Sequence, residues 1–563
     1  MSVRHDTIID ALLAHAERDP ARPFITFDPI DGDPVTWTFG DTLKAARRAA
    51  GALAANGLTA GDRLVVVGRN DASTASILLG AMGSGILPAI VHPPLRADVG
   101  AAVKQMRGIV GRAEPKLVIA PSVMHAAFPA GVRVLSDRDL LEAGDEARDL
   151  VAPNPTDVAY LQFSSGATGA QKAVMITAGA LARNADASGT TAKARDDDTW
   201  LIWLPLYHDM GLLSGLLVPL YFAHRSVLLP PERFVERPMM WMQAIDRYRA
   251  TTTVAPNFAY ALTSRRATPE RLSGLDLSSL RVAYNGAETV SADTVTRFEK
   301  TFEPAGLRPH TVYPVYGLAE FTLSALYWRV NEPIRVDEVE RNALARGMAE
   351  PIREDERRVV RLVSVGSAVD GHACRVVADD GSVCTDRKVG ELQMKGPSAM
   401  VGYLGDMEAT AAAFDGEWLR TGDMGYVAGG DLFICGRKKD IVIRYGENFY
   451  PQDLEAAASA APDVKPGRLT VLGVDDPAMA TERVWLIVES KEEGDAAYAL
   501  AQAIRSAVIE SAGFKFDGVA VVPFGWIEKT SSGKIRRFVC RGKLAAMFRE
   551  GNPPPYVGRW PLA

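Results

Sequence analysis

Two short loops, each containing a lysine, carry the residue types that bind phosphate groups. The first loop, residues 164–172 (SSGATGAQK), follows an apolar run at 158–163. Small side chains let backbone N–H groups approach an anion, hydroxyls add donors, and the final lysine suits polyphosphate. It is not a Walker P-loop, because Gln171 stands where that motif needs its second glycine. Taken alone, this segment predicts either a phosphate-binding loop or an ordinary flexible turn.

The second loop, residues 529–537 (KTSSGKIRR), lies near the C-terminal end and carries Lys534. Its Thr-Ser-Ser-Gly stretch predicts a flexible loop, whose lysine can reach into the cleft of another domain. The alternative is a solvated basic patch formed with the neighbouring cations Lys529, Arg536, Arg537 and Arg541.

Two further segments contain groups that suit a nucleotide. In VYGLAE, Tyr316 can stack on a purine, and Glu320 is a lone carboxylate of the kind that holds Mg²⁺ beside phosphate oxygens. In LRTGD, Asp423 can accept both ribose hydroxyls, and the downstream Arg437 can donate to ribose or phosphate oxygens. In isolation, a strand end, a solvated glutamate, a surface turn and a salt bridge are the alternatives.

Composition narrows the class of protein. A chain of 563 residues is too long for one hydrophobic core, so two or more domains are expected. With 47% hydrophobic and 23% charged residues, the composition is typical of a soluble globular protein. The net charge of −6 argues against a nucleic-acid-binding body, which usually carries a basic excess.

Membrane and redox signals are weak. The N-terminus lacks the apolar region of a signal peptide, and the longest uncharged apolar stretch, residues 210–223, is too short to span a bilayer. The four cysteines form neither a Cys-x-x-Cys pair nor a dense disulfide framework. We therefore expect no integral membrane segment and a cytoplasmic location.

The secondary-structure elements that must position these groups are predicted from the pattern of residue types along the chain. Alanine-rich helical stretches alternate with short apolar runs, which indicates an α/β architecture with mostly buried, parallel strands. Examples of these runs are residues 64–67, 117–120, 158–161 and 280–284. After about residue 362, short strands separated by Gly/Asp turns predict a smaller β-rich subdomain. Another α/β pattern begins near 437–439, where we place a domain boundary.

The four segments, in this order, resemble the adenylate-forming superfamily of acyl-CoA synthetases, nonribosomal adenylation domains and luciferases. The resemblance covers almost the whole chain. Within the superfamily, the chain most resembles the fatty acyl-AMP ligases. The further stretches that carry it are residues 203–211 (WLPLYHDMG), 248–260 (YRATTTVAPNFAY), 285–288 (NGAE), 436–440 (GRKKD) and 448–453 (NFYPQD).

The resemblance implies an α/β fold with two unequal domains. The large N-terminal domain, 1–436, would contain two α/β subdomains, a charged family-type insertion at about 328–361 and the β-rich subdomain at about 362–436. A hinge at 437–439 would lead to a small, mobile α+β C-terminal domain, 440–563, that carries the catalytic lysine.

The resemblance also implies a role for each matching position. The ATP phosphates would be cradled by Ser165, Gly166, Thr168, Gly169 and Lys172. Adenine would be held by Gly286, Ala287 and Tyr316, with Glu288 and Gly317 in the same nucleotide-binding set. Ribose would be bound by Asp423 and Arg437, and Mg²⁺ by Glu320 with Thr168. The remaining roles concern the reaction: Lys534 at the carboxylate and α-phosphate, His208 near the acyl group, and Lys439 at the hinge.

The first loop departs from the family pattern at three positions. Ala167 lacks the usual hydroxyl, Gln171 replaces the usual proline and Ala173 replaces a glycine. These changes weaken or slow the grip on phosphate, but they leave Thr168 and Lys172 in place. We expect an active enzyme.

The acceptor of the activated acyl group is the open question. By resemblance, the insertion restrains domain movement, disfavours transfer to coenzyme A and directs the acyl group to the phosphopantetheine of a holo-acyl carrier protein or carrier domain. A fatty acyl-CoA ligase of the same fold is the alternative. A non-catalytic adenylate-binding scaffold protein is an alternative from another class.

Overall fold

Mostly parallel strands flanked by helices make up the first half of the chain, and mostly antiparallel strands follow. The computed structural model describes residues 4–93, 99–142, 147–164, 171–352, 359–459, 461, 464, 467–476, 481–529 and 535–558. The functional roles predicted for Ser165, Gly166, Thr168, Gly169 and Lys534 therefore concern residues outside the described ranges.

The α-helices are bounded as follows: α1 (Ile8–Arg18), α2 (Phe39–Ala55), α3 (Ala72–Met82), α4 (Val99–Ala113), α5 (Asp137–Glu142), α6 (Ala178–Thr191), α7 (Asp209–Leu212), α8 (Val218–Phe222), α9 (Pro231–Glu236), α10 (Met240–Tyr248), α11 (Asn257–Arg266), α12 (Pro269–Leu272), α13 (Ala292–Phe302), α14 (Arg341–Ala345), α15 (Met407–Ala412), α16 (Pro451–Ser459), α17 (Gly494–Ala512) and α18 (Arg537–Arg549).

The strands are β1 (Pro23–Phe27), β2 (Val35–Thr38), β3 (Arg63–Val67), β4 (Leu87–Val91), β5 (Leu117–Ile119), β6 (Val134–Leu135), β7 (Val158–Ser164), β8 (Lys172–Thr177), β9 (Thr199–Ile202), β10 (Arg225–Leu228), β11 (Thr252–Pro256), β12 (Val282–Gly286), β13 (Val312–Gly317), β14 (Ser324–Tyr327), β15 (Val336–Glu340), β16 (Val359–Ala368), β17 (Ala373–Val377), β18 (Gly390–Lys395), β19 (Gly402–Tyr403), β20 (Phe414–Asp415), β21 (Trp418–Ala428), β22 (Asp431–Arg437), β23 (Val442–Arg444), β24 (Glu447–Phe449), β25 (Leu469–Asp476), β26 (Thr481–Glu489), β27 (Gly518–Val522) and β28 (Tyr556–Gly558).

One long sheet joins the α/β half to the β-rich half, in the order β17-β18-β21-β22-β16-β14-β13-β12-β11-β9-β10-β1-β2. From β1 through β10, β9, β11 and β12 to β13, neighbouring strands are parallel. The pairing turns antiparallel between β13 and β14. The carboxyl ends of β12 and β13, where ligands of α/β sheets bind, thus lie next to this change in direction.

Smaller sheets complete the fold. A parallel sheet in the order β4-β3-β5-β6 lies in the first part of the chain, and β25-β26-β27-β28 form a mixed sheet in the last part. The large hydrophobic core spans residues from α1 to β22, and a separate cluster includes the buried faces of α16, α17 and β25 to β27. The α/β fold class is confirmed. The boundaries at 362 and at 437–439 stay predictions.

The structure corrects the pairing of one predicted strand. Residues 158–161 were expected among the parallel strands, but β7 pairs antiparallel with β8, with Ser164 opposite Lys172. A parallel connection needs a crossover of a dozen or more residues. The connection here, residues 165–171, is too short for one, so the chain must fold back as a hairpin.

Among the described residues, no helix is both long and apolar enough to cross a membrane. The uncharged stretch at 210–223 instead forms α7, a π-helical turn at Leu213–Leu217 and α8, all buried in the large core. The cytoplasmic location stays a prediction.

Candidate active site

A tyrosine, an aspartate and an arginine from three neighbouring segments meet at the predicted nucleoside position. The Tyr316 hydroxyl, near the end of β13, donates to Oδ2 of Asp423 at 2.6 Å. Arg437 pairs in register with Asp423 across β21 and β22, and its Nε lies 3.4 Å from Oδ1. Burial, followed by the nearby Asp423 charge, raises the pKa of Tyr316, so the phenol stays a donor. This group presents a ring, a carboxylate and a guanidinium together.

Gly286 lets the end of β12 approach β13, and Gly317 lets the end of β13 approach the segment that leads into β14. A Cβ on Gly286 would lie 2.7 Å from Cγ2 and 2.9 Å from the carbonyl oxygen of Val315. A Cβ on Gly317 would lie 1.8 Å from the Leu323 carbonyl oxygen. Both positions therefore exclude any side chain. Gly286 ends β12 and Gly317 ends β13, directly after Tyr316.

The residues after Gly286 are held by α11. Ala287 has a φ of +65°, a left-handed conformation that is uncommon for alanine. The Glu288 carboxylate accepts a hydrogen bond from the backbone N–H of Phe258. Glu288 thus caps the start of a neighbouring helix, which is a structural task that the sequence did not reveal.

Glu320 lies in a 3₁₀ turn at Ala319–Phe321, directly after β13. Its backbone carbonyl accepts from the Met400 N–H at 2.9 Å. The next residue but one, Thr322, is buried with φ of +65° and ψ of −58°, and its hydroxyl donates to the Ser398 carbonyl at 2.8 Å. Such a conformation costs on the order of 1–3 kcal/mol. Tertiary contacts therefore hold Glu320 in place against local backbone preference.

Lys172 opens β8 directly after the predicted phosphate loop. Its ammonium lies 4.1 Å from the ring centroid of Tyr403, and the Tyr403 hydroxyl donates to Oε1 of Glu320 at 3.0 Å. The predicted phosphate lysine and the predicted metal ligand thus share one neighbour. Sequence reasoning missed Tyr403, since the only local signal is a glycine-tyrosine pair.

His208 caps the short helix α7, where its Nδ1 accepts from the Met210 N–H at 3.2 Å and lies 2.7 Å from Asp209 Oδ1. The segment before it is fixed by Asn70, which follows β3. The Asn70 Nδ2 donates to the carbonyls of Leu204 at 2.9 Å and Leu229 at 2.8 Å.

Asn70 completes this clamp through its Oδ1, which accepts from the Leu206 N–H at 2.9 Å. Its side chain is buried, so these bonds are made away from water. Sequence reasoning also missed Asn70, although its place at the carboxyl end of a parallel strand is where polar site residues are expected.

The predicted hinge residue Lys439 is exposed in a 3₁₀ turn at Lys438–Asp440. The next residue, Asp440, pairs at 3.2 Å with Arg537, which also binds both carboxylate oxygens of Glu455 at 2.7 Å. Arg537 opens α18 just after the predicted lysine loop. Arg537, three residues after Lys534 in sequence, is therefore tied to the turn that contains Lys439.

Within the described ranges, no three His, Cys, Asp or Glu side chains converge as a metal site. The structure brings Tyr316, Asp423 and Arg437 into contact, and it joins Lys172 to Glu320 through Tyr403. His208 is positioned by a different set of contacts, and the functional roles of all these residues stay predictions.

This fold and these groups define an adenylate-forming enzyme. The model of the AMP-binding enzyme family matches residues 12–404, and the chain belongs to that family. A solved structure from studies of fatty acyl-adenylate ligases of E. coli and L. pneumophila superposes with a TM-score of 0.89 at 28% identity. The superposition covers 97% of this chain and 99% of the other. The predicted family and the adenylate-forming fold are confirmed.

Two curated relatives resemble the chain in sequence. FadD26 of Mycobacterium marinum, a long-chain-fatty-acid–AMP ligase, is 31% identical over 96% of this chain and 97% of its own length. JamA of Moorena producens, a medium-chain-fatty-acid–acyl-carrier-protein ligase, is 36% identical over 72% of this chain and 70% of its own length.

Proposed function

We propose that this protein uses ATP to activate a medium- or long-chain fatty acid as an acyl-adenylate and then transfers the acyl group to an acyl carrier protein. The hydrogen bond from Tyr316 to Asp423 and the ion pair of Asp423 with Arg437 support the first step most directly, because they bring together three groups that suit a nucleoside near the carboxyl end of β13. Family membership and the names of FadD26 and JamA support the same reaction.

The first step needs no general base. A fatty-acid carboxylate has a pKa of about 4 to 5, like that of Glu, and is ionised at pH 7. A carboxylate oxygen attacks the α-phosphorus of ATP, the bond between the α- and β-phosphates breaks, and pyrophosphate leaves with the electron pair. The enzyme aligns two anions and stabilises the crowded negative charge of the transition state.

Cationic side chains supply that stabilisation. Lys172 would face the phosphates, and Lys534 would contact the carboxylate and the α-phosphate. The Glu320 carboxylate fits Mg²⁺, which binds to one or two protein carboxylates and completes its shell with phosphate oxygens and water. Glu320, with Thr168, would hold the ion, which supplies positive charge at the phosphate oxygens when bound.

The second step transfers the acyl group to a thiol. The phosphopantetheine sulfur attacks the acyl carbonyl carbon, the bond to the phosphate oxygen breaks, and AMP leaves. In this family the small domain rotates to withdraw its lysine and admit the thiol arm. Contacts that restrain this rotation therefore influence which acceptor is used.

The insertion makes such contacts. Arg341, at the start of α14, is only 6% exposed and donates from Nε and Nη2 to both oxygens of Asp453, on α16, at 2.8 and 3.1 Å. Its Nη1 donates to the Ala512 carbonyl at the end of α17 at 2.8 Å. At the other end of α14, Ala345 packs in the hydrophobic cluster of the C-terminal segment.

This anchoring supports a carrier protein rather than free coenzyme A as the acceptor. A docked carrier domain contributes binding energy that can offset the loss of these contacts, whereas free coenzyme A offers only a small contact area. Fatty acyl-CoA formation remains the competing function, and a non-catalytic scaffold is the third.

A one-pot acceptor assay separates the three functions. Protein, ATP, Mg²⁺ and dodecanoate are mixed with either coenzyme A or a holo-acyl carrier protein, and the acyl products are measured by mass spectrometry. We expect acyl-AMP and acylated carrier with little acyl-CoA. Abundant acyl-CoA would overturn the carrier assignment. The absence of both pyrophosphate release and acyl-AMP would leave only the scaffold.

A further inference from the structure

Tyr403 contacts two charged groups, Lys172, which the proposed function assigns to the phosphates, and Glu320, which it assigns to the divalent cation. Its side chain is 9% exposed, its hydroxyl donates to Oε1 of Glu320 at 3.0 Å, and its ring faces the Lys172 ammonium at 4.1 Å. The two charged side chains belong to segments that are distant in sequence, and Tyr403 contacts both.

The backbone holds Tyr403 rigidly in this position. Strand β19 pairs with β8, and Tyr403 is the direct partner of Val174. Because Lys172 lies two residues before Val174, it occupies the same face of β8 and is a diagonal neighbour of Tyr403. The Tyr403 N–H also donates to Oγ1 of Thr410 at 2.9 Å, which fixes the strand from the other side.

Glycine precedes Tyr403 for a related reason. Gly402 has a φ of +155°, and a Cβ there would lie 2.6 Å from Cγ2 of Thr410. The close approach of α15 to β19 therefore depends on this glycine. Tyr403 consequently has little freedom to move away from Lys172 and Glu320.

The chemistry of the phenol explains why a tyrosine suits this place. A cation over an aromatic face is attracted to the ring without losing its charge. A hydroxyl that donates to one carboxylate oxygen likewise fixes the carboxylate and leaves it negative. A tyrosine phenol is protonated at neutral pH, so the hydroxyl is a donor.

Direct pairing would have the opposite effect. Among the described ion pairs, none joins Lys172 to Glu320, although both contact the same side chain. If the two charges met, each would be neutralised before a polyphosphate or a divalent cation arrived. An intervening ring and hydroxyl keep each charge in place and unneutralised.

We propose that Tyr403 is a positioning residue that holds Lys172 for the phosphates and Glu320 for the divalent cation, and that prevents the two from pairing with each other. This inference rests on the proposed function, because it assigns Tyr403 a task in the same nucleotide site.

Two variants separate the hydroxyl from the ring. Tyr403→Phe keeps the ring beneath Lys172 and removes the bond to Glu320. Tyr403→Leu removes both contacts. The control is Tyr445→Phe, since Tyr445 is an exposed tyrosine whose ring also contacts a cation, Arg444, at 5.6 Å.

The first measurement does not depend on turnover. Binding of Mn²⁺ with a non-hydrolysable ATP analogue is followed by electron paramagnetic resonance, and affinity for the analogue is measured by calorimetry. We expect Tyr403→Phe to weaken Mn²⁺ binding about 10-fold, the loss of one charged hydrogen bond, with analogue affinity changed less than about 3-fold. Tyr403→Leu should weaken both. The control should match the wild type.

The second measurement is the Mg²⁺ dependence of the pyrophosphate exchange that requires the fatty acid. The Mg²⁺ concentration needed for exchange should rise in Tyr403→Phe and in Tyr403→Leu and stay unchanged in the control. Wild-type Mn²⁺ binding in Tyr403→Phe, or identical behaviour of the two variants at unchanged melting temperature, would overturn the inference. A wild-type protein without exchange would instead overturn the proposed function, and the binding measurement would still test Tyr403.

Discussion

Arg341 and Asp453 form a two-point ion pair, with Nε to Oδ2 at 2.8 Å and Nη2 to Oδ1 at 3.1 Å. The pair joins the charged insertion to α16 and is almost completely removed from water. Burial raises the pKa of Asp453 above its ordinary value, and the bonds from Arg341 offset only part of this rise. An ion pair in such a place acts through geometry, because it is strong only while both partners stay aligned.

The first prediction concerns the acceptor. Removing both charges, as in the double variant Arg341→Met/Asp453→Leu, should leave the protein folded, since apolar replacement of a buried pair is often neutral for stability. Acyl-CoA formation should rise at least about 5-fold, because a coupling of about 1 kcal/mol or more restrains the rotation. Mass spectrometry of the acceptor assay measures this change.

The control for this prediction lies directly after the same short helix. Arg346 forms an exposed pair with Glu447 at 3.6 Å, of a kind that contributes little to stability. Arg346→Met should leave the ratio of acyl-CoA to acylated carrier unchanged. Equal ratios in the double variant, the control and the wild type would show that the buried pair does not influence the acceptor.

The second prediction concerns the nucleoside group. Asp423→Asn removes the charge that Tyr316 and Arg437 share, so affinity for an ATP analogue should fall by about 10- to 100-fold, the range for bonds to a charged group. Calorimetry measures this affinity. Tyr316→Phe should lose less, because the ring remains. Unchanged affinity in Asp423→Asn would remove the nucleoside assignment.

The third prediction tests the close approach at β13. Gly317→Ala would place a Cβ 1.8 Å from the Leu323 carbonyl oxygen, so the backbone must shift. The melting temperature and ATP-analogue affinity should both fall. Gly108→Ala is the matched control, since a Cβ there meets nothing within 4 Å in α4 and should stabilise by about 0.5–1 kcal/mol. Wild-type affinity in Gly317→Ala would contradict the packing described at this edge.

The fourth prediction concerns pH and a buried histidine of α1. His15 is 6% exposed, and its Nε2 lies 3.2 Å from the Tyr221 carbonyl oxygen. Burial lowers its pKa to about 4. Between the unfolded value of 6.5 and this folded value, the unfolded chain binds more protons, so acidification destabilises the fold by roughly 3 kcal/mol.

His15→Gln removes this titration and keeps an amide donor. At pH 7 the variant should melt slightly below the wild type. The difference in melting temperature should close or reverse near pH 4.5, because only the wild-type fold requires an uncharged imidazole at position 15. Melting curves at pH 7, 6, 5 and 4.5 measure the difference, and a constant gap would show that His15 does not contribute to acid sensitivity.

Several strands of the fold could be predicted from local residue composition. Buried apolar runs predicted β3, β5 and β12, because parallel strands covered on both faces need continuous hydrophobic residues. The short Gly/Asp-bounded runs predicted β17, β18 and β22. The nucleoside group was proposed from loops at the ends of such strands, and the structure brings Tyr316, Asp423 and Arg437 into contact.

Contacts between distant segments left no such signal. Tyr403 and Glu320 are 83 positions apart, and Arg341 and Asp453 are 112 apart. Each pair depends on how separate elements pack, which residue type and spacing alone do not specify. The hairpin of β7 and β8 was missed for a simpler reason, since a buried apolar strand has the same composition in either pairing.

The most direct test of the central claim is acid-dependent exchange of labelled pyrophosphate into ATP by the wild-type protein. With dodecanoate and Mg²⁺ present, we predict exchange well above the acid-free blank, and we predict that Lys534→Ala loses most of it while retaining affinity for an ATP analogue. A folded wild-type protein that binds the analogue but shows no acid-dependent exchange would contradict the claim that this chain forms acyl-adenylates.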